Sequence, residues 1–176
     1  MSITKKIVYM FFGSLLIFFT LAFVDEYDNI IGSFAGFTFQ DSAKDIEIDE
    51  KKLKDAVLAY NNIVSKAYGM GKEGFLSEYP MDHDIYRSHV YEIRHLYNMR
   101  KKQLLDLKSL QIIETEKISG VLARITTDEI VSARYLDYET NKALTNEEIK
   151  KYSMLYTFDV SVTPYKLTSL EGMIKK

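Results

Sequence analysis

Residues 152–163 read YSMLYTFDVSVT. Tyr152, Met154, Tyr156, Phe158, Val160 and Val162 fall on one side of an extended chain, and Ser153, Thr157, Asp159, Ser161 and Thr163 on the other. Successive side chains of a strand point to opposite faces, so this stretch predicts a strand with one face in a core and one toward solvent. Pro164 cannot donate to a sheet ladder and ends it. Residues 166–173 then return as a short final strand. Immediately upstream, residues 141–151 read as a polar loop or short helical turn. Before that, Val121, Ala123, Ile125, Val131, Ala133 and Tyr135 share one parity and predict another strand, with Gly120 at the turn that precedes it. Residues 102–116 are rich in Leu and Ile, but their apolar parity changes between Leu107 and Leu110, which predicts a β-bulge at Lys108-Ser109.

Further toward the N-terminus the period changes to that of a helix. Leu53, Ala56, Val57, Tyr60, Ile63, Val64, Ala67 and Tyr68 follow i, i+3, i+4 spacing from Asp49 onward, and Gly69 and Gly71 stop the helix. A second, short helix over 72–79 ends at Pro80. A third, capped by Asp82, runs to about residue 100 with Tyr86, Val90, Ile93 and Tyr97 as its apolar face and Leu96 on the flank. Helices grouped before serial strands predict an α+β domain over residues 50–176, three helices packed on a four-stranded antiparallel sheet. That length suffices for one core.

The 176-residue chain is 47% apolar and 27% charged, with a net charge of −2. That balance excludes disorder and leaves no basic footprint for nucleic acid. With no Cys there is no disulfide framework, thiolate zinc site or thiol nucleophile. The charge is unevenly placed: residues 1–24 carry Lys5 and Lys6 and no acid, whereas residues 25–50 carry eight acids against Lys44. Between Lys6 and Asp25 lie eighteen uncharged residues, IVYMFFGSLLIFFTLAFV. As a helix they reach about 27 Å, enough to cross a hydrocarbon core. The basic side is expected to stay cytoplasmic, giving a single-pass protein with an extracytoplasmic domain. A cleaved signal peptide ending at Ala22 is the alternative, and a buried helix of a soluble protein a third. The run exceeds the 7–15 residues or so of a signal peptide's apolar region, which favours an uncleaved anchor. Residues 25–49 are an acidic juxtamembrane linker. It holds an apolar segment, residues 30–39, which either packs on the domain or lipid surface or docks a partner through Phe34, Phe37 and Phe39.

The stretches ARITTDEIVSARYLDYETNKAL (123–144), KKYSMLYTFDV (150–160) and YKLTSLEGM (165–173) resemble strands of the nuclear-transport-factor-two-like, cystatin-like cone class, in its membrane-tethered bacterial and plastid members. The resemblance covers roughly residues 50–173. Where such strands carry Trp, this chain has Val131 and Tyr165, and it contains no Trp. The resemblance implies a concave sheet wrapped against a long helix. It also implies kinship with inner-membrane assembly factors of secretion and conjugation machines and with plastid-division interaction domains, which bind other proteins. The class also hosts enzymes, so fold alone assigns no function.

Candidate chemistry is sparse. His83, His89 and His95 all lie on or beside the third predicted helix, but His89 and His95 point about 120° apart at helical pitch. Glu92-x-x-His95 is half of a di-iron pairing without its second copy. No metal or cofactor is expected. Glu129 shares the inward parity of its strand, as does Thr127. A carboxylate there, with His89 or a Tyr beside it, would be the candidate general base of a pocket enzyme; a solvated Glu129 at the sheet rim, or one paired with Arg, is the plainer expectation. The run RHLYNMRKK (94–102) is the main basic stretch, read as a solvated helix end, with phosphate or acidic lipid as the alternative. No nucleophile elbow, dinucleotide fingerprint or phosphate loop is present. The expectation is a non-catalytic structural or assembly subunit of a membrane complex, with a homo-oligomer among the partners it allows. Its alternative is a ligand-binding or enzymatic cone pocket on the same anchor.

Overall fold

The computed structural model describes residues 47–175. The anchor expected over 7–24 and the apolar segment 30–39, with Phe34, Phe37 and Phe39, lie outside the described residues. Among the described residues no helix is long and apolar enough to cross a membrane.

Helix α1 (Glu50–Met70) starts where the Asp49 side chain accepts from the Lys52 amide at 3.1 Å. It buries Leu53, Val57, Tyr60, Val64, Ala67 and Tyr68, the predicted face. It ends at Gly71, held at φ +63°, with the Gly71 and Lys72 amides donating to Tyr68 and Ala67 carbonyls. The expected second helix is a tighter 3₁₀ segment, Glu73–Glu78, whose Leu76 is fully buried. Eight residues lie between Gly71 and Pro80, and the six that turn form a short run of the kind that adopts 3₁₀ geometry. The segment is clipped in place by Arg94, which donates to both Glu73 oxygens at 2.6 and 2.7 Å, and by the Tyr79 hydroxyl, which donates to the Ala56 carbonyl.

Helix α2 (His83–Asn98) is capped by Asp82 as expected, but its buried face is rotated. Ile85, Ile93 and Leu96 are buried, with Tyr86 and Val90 packed at the margin, whereas Tyr97 is 56% exposed. Helical spacing alone fits either stripe. The aliphatic side chains take the interior because a tyrosine can leave its hydroxyl in water.

The sheet is a meander, β1 (Lys101–Lys117), β2 (Leu122–Asp137), β3 (Glu148–Asp159) and β4 (Lys166–Ile174), all neighbours antiparallel in chain order. The β1–β2 register shifts between Leu107 and Ser109, where the parity change predicts it. A second shift lies between Ile112 and Glu114, and a third in the β3–β4 pairing beside Thr157. Bulges bend a strand and increase its local twist. β3 stops at Asp159, so Val160 lies past its end and Val162 is 43% exposed. The loop that follows contains the cis Thr163-Pro164 bond. The core joins Leu53 and Val57 of α1, Leu76, Ile125 of β2, Tyr156 and Phe158 of β3, and Leu167 of β4. One helical layer on one sheet is the expected α+β architecture.

Candidate functional site

The inward face of β2 places Ala123, Ile125, Thr127 and Glu129 in succession against the helices, all buried. Strand pairing sets Ile125 opposite Tyr156 and Thr127 opposite Met154. Glu129 is 3% exposed, so its strand parity, and not the solvated rim, decides its position. Its Oε1 accepts from the Thr127 hydroxyl at 2.8 Å and from the Tyr156 hydroxyl at 2.8 Å. Asn61 of α1 donates in turn to the Tyr156 oxygen at 3.2 Å and to the Val57 carbonyl at 3.1 Å.

A second string of polar groups runs beside the first. The Tyr60 hydroxyl lies 2.7 Å from His89 Nε2, and the Tyr68 hydroxyl 3.1 Å from His89 Nδ1. One imidazole nitrogen donates and the other accepts, so a neutral His89 is satisfied on both sides. The Tyr60 ring meets Tyr156 and Tyr79 edge-on, each at 5.9 Å between centroids. The two strings touch through rings, and His89 makes no hydrogen bond to Glu129; their bonding partners are different tyrosines.

Burial governs the titration of the whole cluster. It pushes the Glu129 carboxyl up, against the lowering effect of the Thr127 and Tyr156 hydroxyls. It pushes the Tyr60, Tyr68, Tyr79 and Tyr156 hydroxyls well up and the His89 imidazole down to about 4. Each shift favours the uncharged form. A general base needs, besides a suitable proton affinity, a path by which substrate can reach it. Thr127 and Tyr156, the side chains touching Glu129, are sealed from solvent. A groove of about 240 Å³ does open between α1 and β1, lined by Leu58, Asn61, Asn62, Ser65, Asp106 and Leu107. Asn61 forms its inner wall, one hydrogen bond from Tyr156.

The other predicted histidines are dispersed. His83 is the exposed first residue of α2, and His95 stacks on Tyr91 at 6.4 Å. Among the described residues no group of three or more His, Cys, Asp or Glu side chains is arranged to hold a metal ion. Asn61, Tyr60 and Tyr68 are the members of the network that sequence parity does not single out. Their signal is slight: consecutive Tyr60 and Asn61 put a polar group at the flank of an otherwise apolar helix face.

No family model matches the chain, and no curated protein matches it by sequence. Solved structures do match its fold. The intermembrane space region of the chloroplast protein ARC6 overlays with a TM-score of 0.60 at 19% identity, covering 73% of this chain and 98% of that one. A putative dehydratase of the NTF2-like family from Streptomyces avermitilis gives 0.48 at 12% identity, covering 73% and 99%. A periplasmic fragment of TraM gives 0.41 at 9% identity, covering 69% and 98%. At these identities the likeness is one of fold alone.

Proposed function

We propose that this chain is a non-catalytic structural or assembly subunit of a membrane protein complex. Residues 7–24 hold it in the bilayer and its α+β domain docks other proteins on the extracytoplasmic side. The observation that carries this reading is the satisfied polar core: Glu129 is held by the Thr127 and Tyr156 hydroxyls, all three buried, and His89 by the Tyr60 and Tyr68 hydroxyls. Groups used in this way specify packing rather than turn over a substrate. The overlay with an intermembrane space region adds support for a domain that works beside membranes.

The test is the native mass of the full-length chain extracted in mild detergent from its own membrane. A large stoichiometric assembly is expected, and a lone monomer would overturn the reading. Within that assembly, replacing Phe34, Phe37 and Phe39 together with Ser should weaken partner capture while leaving the domain folded. Loss of the folded domain would instead place those rings in its core.

A second reading, a small-ligand or enzymatic cone, is favoured by one feature, the buried acid Glu129 with its raised titration, since perturbed carboxyls collect at active sites. It requires the wall of Tyr156 and Asn61 to open toward the α1–β1 groove.

A further inference from the structure

Strand β1 is an edge of the sheet: among the described residues it pairs only with β2. Its backbone phase is fixed at both ends, where the Arg100 carbonyl accepts from the Tyr138 amide and the Ile118 amide donates to the Leu122 carbonyl. Backbone groups alternate sides along a strand. With the two register shifts counted, Leu105, Leu107, Leu110 and Ile112 turn their N–H and C=O away from β2. Helix α1 covers the first of these. The Ser65 hydroxyl donates to the Leu105 carbonyl, and Gly69 lies against the Leu104 side chain. Beyond that point the helix leaves the edge, since Asn61 already reaches Tyr156 on β3. The α1–β1 groove opens there, and from Leu107 to Ile112 the edge groups have no partner among the described residues. A lysine often blunts such an edge. Here Lys108 is turned onto Asp106 at 2.6 Å and Glu147 at 3.5 Å.

The groove walls present acceptors. The Val57 carbonyl can only accept, so Asn61 gives its amide nitrogen to that carbonyl and to the Tyr156 oxygen, which leaves Oδ1 over. Ser65 spends its hydrogen on Leu105 and keeps its lone pairs. Asp106 gives Oδ2 to Lys108 and keeps Oδ1. Leu58, 39% exposed, and Leu107 supply an apolar strip beside these oxygens. The charges agree in sign. Asp106, Glu114 and Glu147 stand against the single cation Lys108, while Lys54 and Asp55 at the α1 rim cancel.

We infer that this edge and groove take an extended segment of a partner protein, with one Lys or Arg side chain in the groove. The segment adds a strand to β1, pairing with the free groups of Leu110 and Ile112. Its basic side chain lays the stem on Leu58 and Leu107 and brings the head to the Asn61, Ser65 and Asp106 oxygens. An extended backbone offers donors and acceptors at the spacing of a free edge, whereas a helix pairs its own. A basic side chain has an apolar stem and only donors at its head, which matches walls that keep acceptors. The inference rests on the assembly reading and adds to it the surface and the kind of segment that carry the docking.

The probe is a fluorescein-labelled peptide of alternating Thr and Val with one central Lys, added to the full-length chain in mild detergent at low salt. Fluorescence anisotropy should show it binding about tenfold tighter than the same peptide with Glu in place of Lys. N-methylation of alternate residues removes the donors on one side of a strand only. One methylated set should therefore abolish binding and the other leave it intact. Asp106→Asn should weaken the Lys peptide about fivefold, whereas Glu139→Gln, which removes an exposed charge elsewhere, should not. Bound peptide should slow amide exchange at Leu110 and Ile112 and leave Gln111, whose amide faces β2, unchanged. Absent binding, or binding that neither methylated set nor Asp106→Asn weakens, overturns the inference. Edge amides that are slow in the chain alone, and slower as its concentration rises, also overturn it and assign the edge to a second copy. A large native assembly without peptide binding refutes the edge alone. A lone monomer that binds the peptide refutes the assembly reading alone, so the two failures are distinguishable.

Discussion

An ionised Glu129 is stabilised only by hydroxyls, those of Thr127 and Tyr156, and burial outweighs them. Its folded-state affinity for a proton therefore exceeds that of the unfolded chain. The stability this gives is full below about pH 4.5 and is lost as pH rises through the folded value. His89 acts in the opposite direction. Its folded value is depressed to about 4, so its contribution is full above about pH 6.5 and is lost as pH falls toward 4. Glu129→Gln keeps an acceptor for both hydroxyls and removes the charge. Urea unfolding should show the variant gaining stability over the wild type as pH rises from about 4.5 to about 8. An identical gap at both pH values would mean that Glu129 is not titrating in the buried state. At this scale strand parity points Glu129 inward, as found, and the plainer expectation of a solvated or Arg-paired Glu129 is the one overturned. Of the two neighbours the sequence offers Glu129, His89 or a tyrosine, the structure supplies Tyr156 and bonds His89 elsewhere, because parity and helical pitch say which way a side chain points and nothing about which tyrosine it meets.

At the scale of elements, the turn after α1 carries the sharpest local constraint. Gly71 is held at φ +63°, and a Cβ there would stand 2.5 Å from Tyr138 Cε2. Gly71→Ala should therefore destabilise the domain by about 1–2 kcal/mol, part from the left-handed backbone and part from the contact. Combining it with Tyr138→Ala in a double-mutant cycle should recover only the contact part. Full recovery would remove the backbone argument. The helix stop at this turn is legible as a glycine pair, and so is the first β1 bulge, because Leu107 and Leu110 break alternation. The second bulge is hidden: with Ile112 and Ile113 adjacent, apolar parity is satisfied either way, and Ile113 is the one left 52% exposed. The α2 face is misread for a related reason. Tyr97 and Leu96 are neighbours on the helix surface, and the choice between them is made by what β1, the 3₁₀ segment, α1 and β4 present, not by the helix.

The interior of the whole domain is where the two functional readings part. Phe158 and Leu53 are fully buried, and Phe158 stacks on Tyr156 at 6.2 Å between centroids, with the planes 8° apart. A filled core has no place for a ring-sized guest, whereas a working cone pocket does. Phe158→Ala should cost about 3–5 kcal/mol of unfolding free energy, the lost transfer of a ring plus the cavity it leaves. An apolar cavity of that size stays dry and binds benzene, so saturating benzene should raise the thermal midpoint of Phe158→Ala and leave the wild type unmoved. Tyr156→Phe serves as the control, because it deletes the hydroxyl bonded to Glu129 without opening space. If the wild type itself is stabilised by benzene-sized guests, the cone is open in solution. The wall between Glu129 and the α1–β1 groove then becomes a gate, and the enzymatic reading takes precedence over the structural one. If only Phe158→Ala responds, substrate has nowhere to go, and what the domain does must be done on its surface.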